Sequence, residues 1–373
     1  MPPQPPSPVL RKPRIPCELL SPAGDALCLR AAVENGADAV YFGLQQGFNA
    51  RARAANFDLE SLPGQLEFLH HRGVKGYLTL NTLAFTHELP ELETLIEQVA
   101  ECGVDAVLVQ DLGLMRLARE ICPQMPIHAS TQATLTSAEC LAVAAELGIE
   151  RVVLPRELSL DEIRQISQHT EIPLEAFVHG ALCVAYSGQC LTSESLGGRS
   201  ANRGQCAQAC RLPYELICDG QDVDLGAVKY LLSPQDLAAY HLIPELLAAG
   251  VTSFKIEGRL KTPEYVANIT RHYRQALDAA LAQQSWQATR EQVREMELSF
   301  SRGFSSGWLN GCDHKQLVPG LTSAKRGVLL GRVHRGHEAS VEISLEGPVA
   351  PGDGIVFEGD RAPEMSKGAA CLP

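Results

Sequence analysis

One short pattern returns five times along this chain. It is a glycine, an apolar residue or alanine, a polar residue, and then a brief apolar run. It reads Gly36-Ala-Asp-Ala-Val-Tyr-Phe, Gly73-Val-Lys-Gly-Tyr-Leu-Thr-Leu, Gly103-Val-Asp-Ala-Val-Leu-Val, Gly148-Ile-Glu-Arg-Val-Val-Leu and Gly250-Val-Thr-Ser-Phe-Lys-Ile. Each glycine follows a helix-like stretch, where a left-handed residue closes the last turn. The run behind it is short and continuously apolar, as a strand buried on both faces of a parallel sheet must be. The stretches between are amphipathic: Leu92, Leu95, Ile96 and Val99 fall on one helical face, as do Val266, Ile269, Tyr273, Leu277 and Leu281. Thr262, Pro263 and Glu264 give that last helix a cap, a first-turn proline and a dipole-complementing acid.

Eight strand candidates result, at 17–20, 39–42, 74–80, 105–109, 126–129, 151–155, 173–178 and 252–257. Eight strands alternating with helices predict an α/β fold, a (β/α)8 TIM-like barrel over residues 16–285, with a doubly wound open sheet as the alternative. The connection from 179 to 232 is too long for a plain loop and forms an insertion after the seventh strand, ending in a hairpin from Tyr214 to Leu232 that turns at Asp219-Gly220. Beyond 285 the segments 326–334, 339–345 and 354–358 are β-like, so 286–373 reads as a linker and an incomplete small β domain, cut short or altered at its C-terminal end. Residues 1–15 read as a proline-rich, extended leader.

A formal net charge of −12 argues against nonspecific coating of nucleic acid but leaves room for a local basic groove. No secretory h-region opens the sequence and no apolar run is long enough to span a membrane, so a cytoplasmic protein with no membrane partner is expected. In that setting twelve cysteines are not a disulfide framework, and five of them fall between 183 and 218.

Cys183, Cys190, Cys206 and Cys210 are spaced C-x6-C-x15-C-x3-C. Four thiolates suit a 4Fe-4S cluster. A structural zinc also takes four sulfurs, but it favours closely paired knuckles, and only the second pair approaches that spacing. A segment without metal is the third reading. The cysteines follow the seventh strand, which puts them at the C-terminal mouth of a barrel, where barrel active sites lie. The same mouth is expected to receive Glu18, Ser21, Asn81, Gln110, Asp111, His128, Ser130, Gln132, Arg156, Glu157, His179, Glu257 and Arg259. Among these, His179, Glu257 and Arg259 are the candidate catalytic residues, with His179 placed to donate a proton or bond a sulfide. Arg156 and Arg259 are the candidate carboxylate-binding residues, unless each arginine only pairs with its neighbouring glutamate. Arg199, Arg203 and Arg211 interleave with the cysteines and suit either a cluster's negative charge or RNA phosphate.

The run Glu175-Ala-Phe-Val-His-Gly-Ala-Leu-Cys-Val-Ala-Tyr-Ser-Gly-Gln-Cys190 resembles the signature of the collagenase-like peptidase family, numbered U-32. Glu18-Leu-Leu-Ser-Pro-Ala-Gly-Asp25 and Gly36-Ala-Asp-Ala-Val-Tyr-Phe-Gly43 are similar to its opening. The segments 200–214, 253–259 and 265–274 are most similar to the members that make 5-hydroxycytidine in ribosomal RNA. The resemblance implies an iron–sulfur RNA hydroxylase acting on large-subunit ribosomal RNA or its precursor. It implies the dicarboxylate prephenate as cosubstrate, and Cys183, Cys190, Cys206 and Cys210 as cluster ligands, with Cys218 outside the motif. The family name offers a peptidase instead, with Cys183 as nucleophile beside His179, although neither a His-Glu-x-x-His motif nor a serine nucleophile elbow is apparent. A cluster-carrying subunit without activity is the third possibility.

Overall fold

The computed structural model describes residues 16–337, 340–357 and the backbone of 368–370; the expected leader at 1–15 lies outside them. Eight parallel strands form the barrel: β1 (Glu18–Pro22), β2 (Ala39–Phe42), β3 (Lys75–Leu80), β4 (Ala106–Val109), β5 (Ile127–Ala129), β6 (Arg151–Val153), β7 (Leu174–Gly180) and, later in the chain, β11 (Val251–Ile256). β11 pairs with β7 on one side and β1 on the other, which closes the sheet and removes the open-sheet alternative.

The helices α1 (Ala26–Glu34), α2 (Leu62–His70), α3 (Leu89–Cys102), α4 (Leu112–Ile121), α5 (Ala138–Glu146) and α6 (Leu160–Ser167) connect successive strands. Beyond α7 (Thr192–Gly197), which lies in the insertion, α8 (Ile243–Ala248) and α9 (Pro263–Leu281) complete the outer ring. Leu92, Leu95, Ile96 and Val99 are all buried on α3, and the five repeated glycines take φ between +68° and +97°. On α9, Leu281 is exposed, and Thr262 occupies the cap position without a side-chain cap bond. Among the described residues no helix is long and apolar enough to cross a membrane.

Two strands escape the periodicity. β10 (Asp236–Ala238) pairs antiparallel with the end of β7, and β12 (Phe304–Ser305) pairs with β10. Both are too short for alternation to register. The insertion hairpin turns at Asp219-Gly220 as expected, with φ +50° and +76°, but its strands β8 (Leu216–Cys218) and β9 (Gln221–Val223) are much shorter than the 214–232 span.

The barrel core also continues past the expected boundary at 285. α10 (Arg290–Ser299) lays Met296 into that core, Trp308, Leu309 and Leu317 join it, and Leu317 belongs to the short α11 (His314–Leu317). The charged outer face of α10 hides this in the sequence. Beyond it, β13 (Gly331–Gly336) pairs with β14 (Val341–Leu345), and β15 (Gly354–Val356) pairs with β16 (Gly368–Ala370).

Candidate active site at the barrel mouth

The interior of the barrel is layered by charge. In the lower layer Glu18 accepts a hydrogen bond from Tyr77 Oη at 2.6 Å and pairs with Arg151. Glu175, fully buried on β7, accepts from Lys255 Nζ at 3.0 Å, Ser253 Oγ at 3.1 Å and Arg151 at 3.3 Å. Burial pushes the Glu175 carboxyl up, but Lys255 and Arg151 outweigh it and hold it at about 2. The charges of this layer are paired with one another, and it forms the floor of the site.

Above it the mouth holds three guanidinium groups around one carboxylate. Arg51 Nε and Arg156 Nη2 grip opposite oxygens of Glu257 at 3.3 Å and 3.0 Å. Arg156 also lies over Phe177, 3.6 Å from the ring centroid. Arg259, only 3 % exposed, donates to Thr79 Oγ1 at 2.9 Å and Asn49 Oδ1 at 3.2 Å. Among the described residues it has no carboxylate partner. Burial raises the Glu257 carboxyl, yet the three arginines bring it down to about 2; burial lowers the Arg259 guanidinium to about 10. An excess of buried positive charge facing a cavity is an anion site, and forked guanidiniums suit carboxylates.

That cavity, about 130 Å³, is lined by Arg51, Arg156, Arg259 and Glu257 on the barrel side and by Cys183, Cys190, Cys206 and Cys210 on the insertion side. All four cysteines of the motif thus reach one pocket, whereas the exposed Cys218 lies on the hairpin, away from it. Burial raises the Cys210 thiol to about 11; Arg211 opposes this, and the thiols of Cys183, Cys206 and Cys190 add to it. Four sulfurs lining one cavity are the donor set an iron centre takes. Cys206 Sγ already accepts a bond from the Gln208 amide at 3.3 Å. Among the described residues no three His, Cys, Asp or Glu side chains gather closely enough to hold a single metal ion.

The cysteine loops are pressed onto the barrel loops. At Gly188, with φ +74°, a Cβ would stand 2.0 Å from the Gln132 carbonyl oxygen. Thr134 Oγ1 donates to the Ser187 carbonyl at 2.7 Å beside it. Gly188→Ala is therefore expected to combine backbone strain of about 1–2 kcal/mol with a clash that lifts the 183–190 loop. Thermal unfolding should show a lower Tm.

Several expectations are corrected by the structure. Arg156 does not pair with Glu157, nor Arg259 with Glu257: Arg156 crosses to Glu257, while Glu157 accepts from the Ser187 amide and hydroxyl, both at 2.9 Å. His179 is not in the pocket lining. A register shift between Lys255 and Ile256 against β7 changes the phase of the strand. The His179 ring instead packs on Tyr273, Tyr265 and Phe304, and burial first of all lowers its pKa to about 3. Glu18 belongs to the floor, as does His128, whose ring packs edge-on against Tyr77. Ser21 bonds Thr270 on α9, and Asp111 caps α4.

Asn81, Ser130 and Gln132 do line the pocket, as do Arg156, Glu257 and Arg259. Arg51 and Asn49 escape a sequence reading, because the loop after β2 shows no periodic pattern, and Tyr41, within β2, reads there only as a buried strand residue. Arg203 pairs with Glu88, and Arg211 donates to Ser233 and the Leu182 carbonyl. One serine motif also appears, Gly303-Phe-Ser-Ser-Gly307. It runs through the two-residue β12 into a turn rather than a strand-to-helix elbow, and no hydrolase elbow results.

Residues 24–319 match the sequence profile of peptidase family U32. The 23S rRNA 5-hydroxycytidine C2501 synthase of Escherichia coli is 42 % identical over 91 % of this chain, and this chain spans 52 % of that protein's length. The tRNA hydroxylation protein P1 of Bacillus subtilis is 35 % identical over 79 % of this chain and 71 % of its own. A Collagenase of Porphyromonas gingivalis is 36 % identical over 79 % of this chain and 73 % of its own.

Proposed function

The chain belongs to peptidase family U32, and from that premise we propose that it is an RNA hydroxylase that oxidises a pyrimidine base. The finer reading is 5-hydroxycytidine formation in large-subunit ribosomal RNA. The observation that carries it is the convergence of four cysteines and three arginines on one cavity at the barrel mouth. It is supported by the two RNA-hydroxylating relatives.

Cys183, Cys190, Cys206 and Cys210 would hold a 4Fe-4S cluster, which when bound supplies one-electron redox chemistry. Glu257 fixes Arg51 and Arg156 in place, so their free N–H groups are oriented before any ligand arrives. Arg259 is braced by Thr79 and Asn49 and contributes charge without a counter-ion. Together these residues would receive the carboxylates of prephenate as cosubstrate. His179 is replaced in this scheme: buried and neutral against α9, it takes no part at the pocket.

The peptidase reading requires a base beside the Cys183 thiol. No histidine is among the residues lining the pocket, and His179 faces Tyr273 instead.

Nucleoside mass spectrometry of ribosomal and transfer RNA from cells lacking the gene tests the function. A hydroxylated cytidine should disappear from ribosomal RNA and return on complementation. Loss from transfer RNA alone would move the substrate, and no change in either would dismiss RNA hydroxylation. In a reconstituted assay, Arg259→Ala should raise the half-saturating prephenate concentration at least tenfold, roughly the worth of one charge-assisted contact, with iron content unchanged. An unchanged half-saturation point would remove Arg259 from the ligand set.

A further inference from the structure

We infer that the rim of this mouth is a stacking platform for unpaired RNA, with Tyr186 as its principal aromatic, and that the target base enters the cavity alone after leaving its stack. The inference rests on the RNA-hydroxylase reading and adds to it how the RNA is held.

Tyr186 lies between Cys183 and Cys190, lines the cavity, and is nonetheless 68 % exposed. Among the described residues no aromatic ring packs against it. An aromatic face at the edge of a site and open to solvent is available for a base to stack on. On an adjoining loop, Phe85 is 55 % exposed and stacks parallel to His87, with ring centroids 5.7 Å apart and planes 10° from each other. Arg203 lies 4.5 Å from the same Phe85 ring. The Phe85 loop is tied to the segment before Cys206 through the Leu83 amide, which donates to the carbonyl of Asn202, itself a lining residue of the cavity, at 3.2 Å. Exposed aromatic faces, one of them bordered by Arg203, which Glu88 holds in place, mark a local site for a ligand with π-faces.

The cavity size limits what goes further in. About 130 Å³ is well below the few hundred Å³ of a pocket for a drug-sized ligand. It cannot take a stacked pair of bases, and with the cosubstrate's carboxylates at the arginine end and the four cysteines on the facing wall only one ring can present its edge at the mouth. A base acted on there must therefore be unstacked, and its neighbours need another surface to stack on. Tyr186 and the Phe85–His87 pair provide it. A duplex keeps its bases covered and would not gain from these rings.

Fluorescence anisotropy with a labelled oligocytidylate eight nucleotides long, and with a duplex of equal length, tests this on the full chain. Tyr186→Ala should weaken single-strand binding roughly tenfold, within the range for loss of one stacked base. Phe85→Ala should weaken it less, and Tyr186→Phe should stay within twofold of the parent. The salt dependence should be the same in all variants, because none of these substitutions changes a charge. Duplex binding should not respond. If the parent binds the single strand and Tyr186→Ala binds it equally well, the stacking rim is overturned while RNA hydroxylation stands. If the parent binds neither RNA and the cellular nucleosides are unchanged, the parent reading falls and this one with it.

Discussion

Serine at Cys183, Cys190, Cys206 or Cys210 should abolish RNA hydroxylation and strip most of the iron and sulfide from the protein, while Cys218→Ser should do neither. The first four side chains line one cavity, and the fifth sits exposed on the β8–β9 hairpin with its thiol 3.8 Å from the Asp219 carboxylate. A cluster presents four iron corners, and loss of one thiolate leaves one corner without its ligand. The barrel should survive each change, since the strands and their apolar contacts lie outside 183–210. Circular dichroism should thus be unchanged while iron per chain falls by more than half. Anaerobic purification with iron and sulfide analysis reads the outcome. A colourless parent containing one zinc would reject the cluster altogether, and iron loss in Cys218→Ser but not in Cys210→Ser would reject the ligand set.

The eight strands are legible in the sequence because each is bounded by a helix-closing glycine or a turn and is buried on both faces, so composition and position agree. The cysteine pocket is legible for a related reason. A segment that leaves a barrel strand at its C-terminal end has nowhere to go but the mouth. What fails is anything decided by phase or by partners distant in sequence. Strict alternation along β7 puts His179 with Glu175 and Phe177 inside the barrel, but the bulge opposite Lys255 and Ile256 rotates it onto α9. The adjacent pairs Arg156-Glu157 and Glu257-Gly-Arg259 suggest local ion pairs, yet Glu257 reaches Arg51 and Arg156, separated from it by 206 and 101 residues. Arg51 itself sits in a loop with no repeat to mark it, and only the closed barrel brings it beside β11.

The same long-range pairing makes Glu175→Gln the substitution with the largest expected effect on stability. Glu175 is fully buried and neutralises Lys255 and, with Glu18, Arg151. The amide keeps the shape but removes the charge, leaving an uncompensated ammonium inside the barrel, a change that typically costs about 3–5 kcal/mol. Denaturant unfolding should show that loss as a lower midpoint with an unchanged slope. The carboxylate also makes the parent acid-sensitive in a defined window. In the unfolded chain its pKa is near the ordinary 4.5, and in the folded chain it is about 2. The contribution is therefore complete above 4.5 and drains away as pH falls towards 2, a loss of about 3 kcal/mol at roughly 1.4 kcal/mol per unit. Glu257, held at about 2 by its arginines, adds in the same direction, so Glu175→Gln should flatten the acid limb without abolishing it. Removing the ammonium as well, in Glu175→Gln with Lys255→Met, should recover much of the lost stability if buried charge is the cause. If the double variant is no more stable than the single one, the barrel floor is held by the geometry of its hydrogen bonds rather than by charge balance.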